Sequence, residues 1–386
     1  MSNKPLKPGW KMVKLCDVVK LISNRVDNPA NSGYERFVGL EHFNAGEFKI
    51  CRWGNTKNLV SSMKLFRKGD TLFARRNAYL RRASMVDFEG VCSGDAIVLR
   101  EKDSVMINGY LPLILNTDGF WDYAISHAAG SMSKRVNVKA LLSYQFLLPP
   151  LEEQKRISEI LWAADDSVHS YKKAINVLRE MRNAYIEEIA KISAGNKWPN
   201  IPITNCFDIV SGQVDPKQEP YSSMPLIAPN HIESKTGRLL KIESAYEQNA
   251  ISGKYLFKPG DVVYTKIRPN LQKGFIATFE GQCSADMYAL RPKPNKILTR
   301  FLFMILLSDF FARFANTRSI RTGFPKLNRK ELSEFLFPVP PIKFQRDICS
   351  KLDSIEHKEL LLITHYNNLF HIKERLLNSF MEEIYV

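Results

Sequence analysis

The chain repeats itself. Phe66-Arg67-Lys68-Gly69-Asp70 returns as Phe257-Lys258-Pro259-Gly260-Asp261, and Glu89-Gly90-Val91-Cys92-Ser93 returns as Glu280-Gly281-Gln282-Cys283-Ser284. Phe146, Pro149-Pro150 and Gln154 return as Phe337, Pro340-Pro341 and Gln345. The interval from Gly69 to Gly260 is 260 − 69 = 191, and the other blocks keep it without a gap. Three separated blocks in one register do not arise by coincidence, and the interval is close to half of the 386 residues. A period this long is no solenoid unit. It is a duplicated domain with its connector, and so a pseudo-dimer within one chain.

Each half opens with a mixed segment. In the first, β-like runs such as Arg36–Leu40, Thr71–Ala74 and Ala96–Leu99 alternate with turns at Gly69-Asp70, Glu89-Gly90 and Asn108-Gly109. Tyr110–Asn116 and Phe120–Ser126 have the texture of short helices. The second half follows the same plan, with a strand at Asp261–Thr265 and a helix over Arg300–Asn316. The expected class is α+β.

After Pro149-Pro150 the texture changes, and Leu151–Ile192 contains no proline or glycine. Ile157, Leu161, Ala164, Val168, Tyr171, Ile175, Leu178, Tyr185, Ile189 and Ile192 fall at alternating steps of four and three, with one gap at Arg182. That is the seam of a helix packed along its length on another. The proline pair starts it, and Ala194-Gly195-Asn196 supplies a stop. Ile348, Leu352, Ile355, Leu362, Tyr366, Leu369, Leu376 and Phe380 repeat the pattern, with Glu359 and Lys373 on the seam as residues that fix register or meet a partner. The expected divisions are a mixed domain over 1–150, a long helix over 151–195, a second mixed domain over 196–341 and a second long helix over 342–386. Two seams in one chain most economically bury each other, and a pseudo-twofold axis makes the helices antiparallel. Helices of about 42 residues, on the order of 60 Å long, would hold two similar heads at opposite ends of a rod, facing the same way.

Lys+Arg 55 against Asp+Glu 40 gives a net charge of +15, a balance that favours polyanions, nucleic acid first. The first residues are polar, and the apolar runs Phe301–Leu307 and Tyr110–Leu115 are too short to span a bilayer, so a cytoplasmic protein without a signal peptide is expected. The six cysteines show no CxxC spacing, and Cys92 with Cys283, and nearly Cys16 with Cys206, are repeat equivalents. They read as small buried hydrophobes rather than metal ligands or a disulfide.

The repeat framework is kept where the polar contents are not. Ala74-Arg75-Arg76-Asn77-Ala78-Tyr79-Leu80-Arg81-Arg82 aligns with Thr265-Lys266-Ile267-Arg268-Pro269-Asn270-Leu271-Gln272-Lys273. Arginine suits bidentate contact with guanine, Asn and Gln suit adenine, and lysine suits phosphate. Two readers of different DNA half-sites would look like this, so Arg75, Arg76, Asn77, Tyr79, Arg81, Arg82, Lys266, Arg268, Asn270, Gln272 and Lys273 are the DNA-contact candidates. A solvated charged loop is the alternative. A second basic group, Lys134, Arg135 and Lys139 against Arg318, Arg321, Lys326, Arg329 and Lys330, follows a short helix and a glycine (Gly130, Gly323), as a loop on the same face would.

Catalytic motifs are missing: no P-loop, no GxGxxG after a strand, and no Asn-Pro-Pro-Tyr or Asp-Pro-Pro-Tyr loop of the kind used in amino methylation. Glu47-Phe48-Lys49 imitates a nuclease ExK but has no echo in the other half. Asp165-Asp166 and His169 are expected to face solvent or a partner. No cofactor and no metal site is expected.

Phe146-Leu147-Leu148-Pro149-Pro150-Leu151-Glu152-Glu153-Gln154-Lys155-Arg156-Ile157, ahead of a long helix, resembles the hallmark of specificity subunits of type I restriction–modification systems. Phe337-Pro338-Val339-Pro340-Pro341-Ile342-Lys343-Phe344-Gln345-Arg346-Asp347-Ile348 is similar to the second copy in that family, departing at Lys343 and Phe344. The resemblance covers essentially the whole chain. It implies two target-recognition domains, each binding one half of an asymmetric split DNA site, and a helix pair that fixes the spacer. It also implies two methylation subunits that carry S-adenosylmethionine and methylate adenine at N6, with restriction subunits that cleave, while this chain performs no catalysis. A subunit whose methylation and cleavage partner is one polypeptide, a free-standing DNA-binding regulator and an enzyme in its own right are the other readings.

Overall fold

The computed structural model describes residues 7–130, 133–192, 198–319 and 325–382. They form two compact units, Met1–Lys173 with Ile363–Val386, and Ala174–Leu362. The stop at Ala194-Gly195-Asn196 lies outside the described residues.

In the first unit a four-stranded antiparallel sheet runs in the order Val19–Ile22, Ala96–Glu101, Thr71–Ala74, Ala83–Met85. A five-stranded sheet runs Arg25–Val26, Met63–Phe66, Gly90–Cys92, Arg36–Val38, Gly54–Asn55, with one parallel pair, Arg36–Val38 beside Gly90–Cys92. Lys11–Lys14 pairs with Gln145–Leu148, so the start of the domain is tied to the strand entering the long helix. The second unit repeats these sheets with Phe207–Ile209, Met287–Pro292, Val262–Thr265 and Gly274–Ile276, and with Gln213–Val214, Lys254–Phe257, Gly281–Cys283, Pro225–Ile227 and Glu243–Ser244. The α+β class holds. The helix expected over Arg300–Asn316 is two, Thr299–Leu306 and Asp309–Ser319. The Ser308 hydroxyl stops the first and caps the second by accepting from the Phe311 N–H, as Thr117 does for Phe120 in the first unit.

The repeated blocks are the joints of the fold. Gly69 and Gly260 take φ of 89° and 91°, which favours glycine, and the aspartate after each is buried. Asp70 accepts the Arg67 N–H and two bonds from Arg100; Asp261 accepts the Lys258 N–H and two bonds from Arg291. Gly90 and Gly281 lie where a Cβ would stand 2.4 Å from the Arg36 carbonyl oxygen and 2.9 Å from that of Pro225, so the parallel strands could not approach with larger residues. Burial pushes the thiols of Cys92 and Cys283 up to about 12, and all six cysteines are free. Cys16 differs from expectation: it is exposed, whereas Cys206 is buried.

The two long helices are Leu151–Ile192 and Ile342–Glu382. Gln154 and Gln345 make the same three buried bonds at their starts. Gln154 donates to the carbonyls of Pro149 and Val105 and accepts the Ile107 N–H. Gln345 donates to Pro340 and Lys296 and accepts the Leu298 N–H. Each helix is thereby locked to the domain before it.

Within each unit the helices run antiparallel. In the first, Arg156 lies over Phe380, Asp165 meets Lys373 and Tyr171 meets His365. In the second, Arg179 meets Glu359, Arg182 meets Glu356 and Lys351 lies over Tyr185. Asp165 corrects an expectation, because it is buried rather than facing solvent or a partner. Lys373 Nζ donates to Asp165 Oδ1 and to the Gly46 carbonyl, both at 2.7 Å, and stands 4.2 Å from the centre of the Phe48 ring. Burial raises the Asp165 pKa while the lysine opposes the rise. The seam gap at Arg182 has the same origin, since 165 + 191 = 356 and 373 − 191 = 182: one carboxylate–cation pair is built twice.

Candidate nucleic-acid interface

The strands Thr71–Ala74 and Ala83–Met85 form a hairpin whose tip carries a single 3₁₀ turn, Ala78–Leu80. Two left-handed residues bracket the turn, Asn77 at φ 54° and Arg81 at φ 47°. The hairpin of Val262–Thr265 and Gly274–Ile276 carries the turn Pro269–Leu271 between Arg268 and Gln272, both at φ 47°. The bracketing residues are in repeat register, 77 + 191 = 268 and 81 + 191 = 272. Left-handed non-glycine residues are costly and persist where surrounding structure holds them. The two loops therefore share one held shape and differ in what they display.

The second basic group joins the first through the backbone. The Asn77 N–H donates to the Lys134 carbonyl and the Val136 N–H to that of Arg75. In the second unit Arg268 donates to Pro325 and Leu327 to Lys266. Residues far apart in sequence thus make one basic surface per unit.

An aspartate anchors each surface. Asp95 accepts from Arg135 at 2.9 Å and lies 3.9 Å from Arg76, and its carbonyl takes the Arg75 N–H. Arg135 holds its carboxyl below the usual range. Asp286, at 95 + 191, lies 3.6 Å from Lys326, and its carbonyl takes the Lys266 N–H. Sequence reasoning missed both, although each stands two residues beyond a repeated block ending at Ser93 or Ser284.

The candidate side chains divide by what they touch. Tyr79 is 66% exposed, and Arg76, Lys134, Arg268 and Asn270 are also exposed. Arg76 donates to Ser133. Arg82 is half-buried and donates to the carbonyls of Leu40 and Arg76, and Arg75 is half-buried with its Nε enclosed. Lys266 is half-buried, 4.9 Å from the centre of the Tyr288 ring, and burial lowers its pKa. Lys273 donates to the Pro229 carbonyl, and Arg318 pairs with Glu334. Arg81 is bound to Asp118. Gln272, 1% exposed, donates to Asp309 at 2.8 Å. Arg321 and Gly323 lie outside the described residues.

Glu47 and Lys49 of the ExK segment line a cavity of about 100 Å³ with Cys51, Asp165, Asp166, His169 and Lys172. Glu47 is paired with Lys172 and Lys49 with Asp87, so both serve as ion-pair partners. Among the described residues no group of three His, Cys, Asp or Glu side chains could hold a metal ion. No helix of the described residues is long and apolar enough to cross a membrane.

The family model of the type I restriction modification DNA specificity domain matches residues 7–180 and again 187–369. The chain belongs to this family. Like the repeat, the specificity-domain match is double, and each copy contains one basic loop and runs into one long helix. The EcoDI specificity subunit of Escherichia coli is 37% identical over 201 residues, 50% of this chain and 43% of that protein. The chain thus matches less than half of that relative's length. The MjaVIII specificity subunit of Methanocaldococcus jannaschii is 22% identical over 392 residues, 92% of this chain and 88% of the relative. The fold is shared with the type I system S subunit from M. genitalium, at TM-score 0.59 and 13% identity over 99% of this chain and 97% of that one. It is shared too with a chain from a structure on complex assembly and conformational transition of the type I R-M system, at TM-score 0.57 and 20% identity over 98% of both.

Proposed function

We propose that this chain is the DNA sequence-specificity subunit of a type I restriction–modification enzyme and catalyses nothing itself. Residues 1–150 and 196–341 are then two target-recognition domains, each reading one half of a bipartite asymmetric site in double-stranded DNA. The helices over 151–195 and 342–386 set the spacer and dock two methylation subunits carrying S-adenosylmethionine. Restriction subunits complete the assembly, which works in the cytoplasm on the DNA it meets there.

One observation carries the reading: the same bracketed loop occurs twice on the same scaffold with different polar contents. Exposed Tyr79, Arg76 and Lys134 on one face, and Arg268 and Asn270 on the other, are suited to base edges and phosphate. The helices support docking, because Val177, Met181, Leu360 and Leu361 stay exposed on them. The chain would act by selective binding, with any bending of the duplex easing base flipping by its partner.

The deciding experiment expresses the chain with its methylation subunit in a methylation-free host and maps N6-methyladenine by direct sequencing. A single asymmetric two-part motif with a fixed gap is expected. An assembled complex that leaves DNA unmethylated would refute the reading in favour of a regulator that only binds.

A further inference from the structure

Two of the basic-loop residues are held by carboxylates, and those carboxylates reach further. In the first unit Asp118, at the head of the helix Asp118–Ser126, binds Arg81 through Oδ1 and accepts from Asn378 Nδ2 through Oδ2 at 2.8 Å. The Asn378 side-chain oxygen Oδ1 also accepts the Asp118 backbone N–H at 3.0 Å. In the second unit Asp309, at the head of the helix Asp309–Ser319, accepts from Gln272 Nε2 through Oδ1 at 2.8 Å and from Asn183 Nδ2 through Oδ2 at 2.9 Å. Asn378 belongs to the helix Ile342–Glu382 and Asn183 to the helix Leu151–Ile192. Each unit thus contains an unbroken path from the closing left-handed residue of its loop, through one carboxylate, to an asparagine on a long helix.

The loop residues and the carboxylates are in repeat register, 81 + 191 = 272 and 118 + 191 = 309. The asparagines are not, since 183 + 191 = 374, one helical turn before 378. At the position equivalent to 378, Glu187 pairs with Arg313 at 2.8 Å instead. The link is therefore made in both units although the helix residue making it has moved. The loop end differs too, an exposed ion pair in one unit and a hydrogen bond from a buried side-chain amide in the other. A connection kept while its parts are exchanged marks the connection as the useful feature.

We infer that Asp118 and Asp309 are positioning residues that couple each DNA-reading loop to the long helix beneath it, so that a change in the helix pair is felt as a change in sequence discrimination. This rests on the reading of these loops as the DNA contacts. The left-handed residues Arg81 and Gln272 set the end of each turn. A bond from their side chains to a carboxylate fixed on a helix selects that conformation among those the loop could adopt. An event on the helix that shifts Asn183 or Asn378 changes the orientation of the carboxylate and weakens the selection.

Asn183→Ala and Asn378→Ala test this in the full chain. Both sites are helical, where alanine is the most favourable residue, so the helices stay formed. Hydrogen exchange, which needs neither DNA nor partner, is read first. Asn183→Ala should speed exchange in a peptide covering 268–273 and leave 77–82 unchanged, and Asn378→Ala should do the reverse. Unchanged exchange in both loops would overturn the inference. Each variant is then assembled with the methylation subunit and used to map methylated motifs. One half-site should lose roughly 2- to 30-fold in discrimination, the size of effect seen for residues on a coupling path. The other half-site should keep its parent value. Loss at both half-sites equally would also overturn the coupling, because a general loss of folding or charge does not respect the halves. A parent complex that yields no two-part motif would refute the functional reading, whatever the exchange result.

Discussion

Replacing Lys373 by methionine should destabilise the first unit severely, and in a pH-dependent way. The lysine side chain is 1% exposed and that of Asp165 is 8% exposed. Methionine fills most of the space of the lysine stem but leaves the Asp165 carboxylate with only the Phe48 backbone for a bond. The carboxylate must then stay ionised in apolar surroundings or take up a proton. The second route sets a ceiling, because protonating an ordinary aspartate near pH 7 costs about 4 kcal/mol. The lost bond to the Gly46 carbonyl adds about 1 kcal/mol. A loss of about 3–5 kcal/mol follows, the range for breaking a buried pair from one side. Its sign with pH is fixed: a carboxyl with a folded pKa above its unfolded value loses stability as pH rises between the two. Near pH 5 the protonation ceiling falls to about 1.5 kcal/mol, so the variant should recover most of its stability there. Asp165→Leu with Lys373→Met should approach the parent at both pH values. Two units make a single global transition an unsafe measure. The assay is hydrogen exchange across 151–173 and 363–380 at the two pH values. A pH-independent loss, or a double variant no better than the single one, would refute the reasoning.

Gln345→Ala removes three buried bonds and should cost the second unit about 2–4 kcal/mol, seen as faster exchange over 342–349 with the first unit unchanged. Glu101, which accepts the N–H groups of Gly109 and Leu111, is pushed up to about 7 by burial. Its folded pKa lies above its unfolded value, so the first unit should lose about 3 kcal/mol as pH rises from about 4.5 to 7, and Glu101→Gln in the full chain should abolish that slope in hydrogen exchange of a peptide covering 96–115. Arg76→Ala or Arg268→Ala should each lower discrimination at one half-site by about 1–3 kcal/mol, read from methylated motifs, and equal loss at both would contradict two separate readers.

The fold was legible because its signals are local or periodic. Strands such as Thr71–Ala74 and the two long helices follow from alternation and from a seam, and a repeat shows itself to anyone who aligns the halves. The buried bonds of Gln154 and Gln345 even explain why the repeated proline pair is followed by glutamine. The candidate site was legible only as composition. That Lys134 and Arg135 lie against the first basic loop depends on backbone bonds that no spacing rule announces.

The sequence by itself determined that the chain is a basic, duplicated α+β protein with two paired helices, since hydrophobic period, turn residues and register are properties of neighbours along the chain. Tertiary structure decided which charges stay exposed and which are taken up by neighbouring side chains. Arg81 and Gln272 show no partner in the sequence, and the fold brings Asp118 and Asp309, each 37 residues away, to bind them. Asp165 looks like a surface acid until Lys373, 208 residues away, buries it. A charge carries no mark in sequence of whether its partner is water, DNA or another side chain. Only folding brings the partner within reach, because electrostatic contact depends on distance in space rather than along the chain.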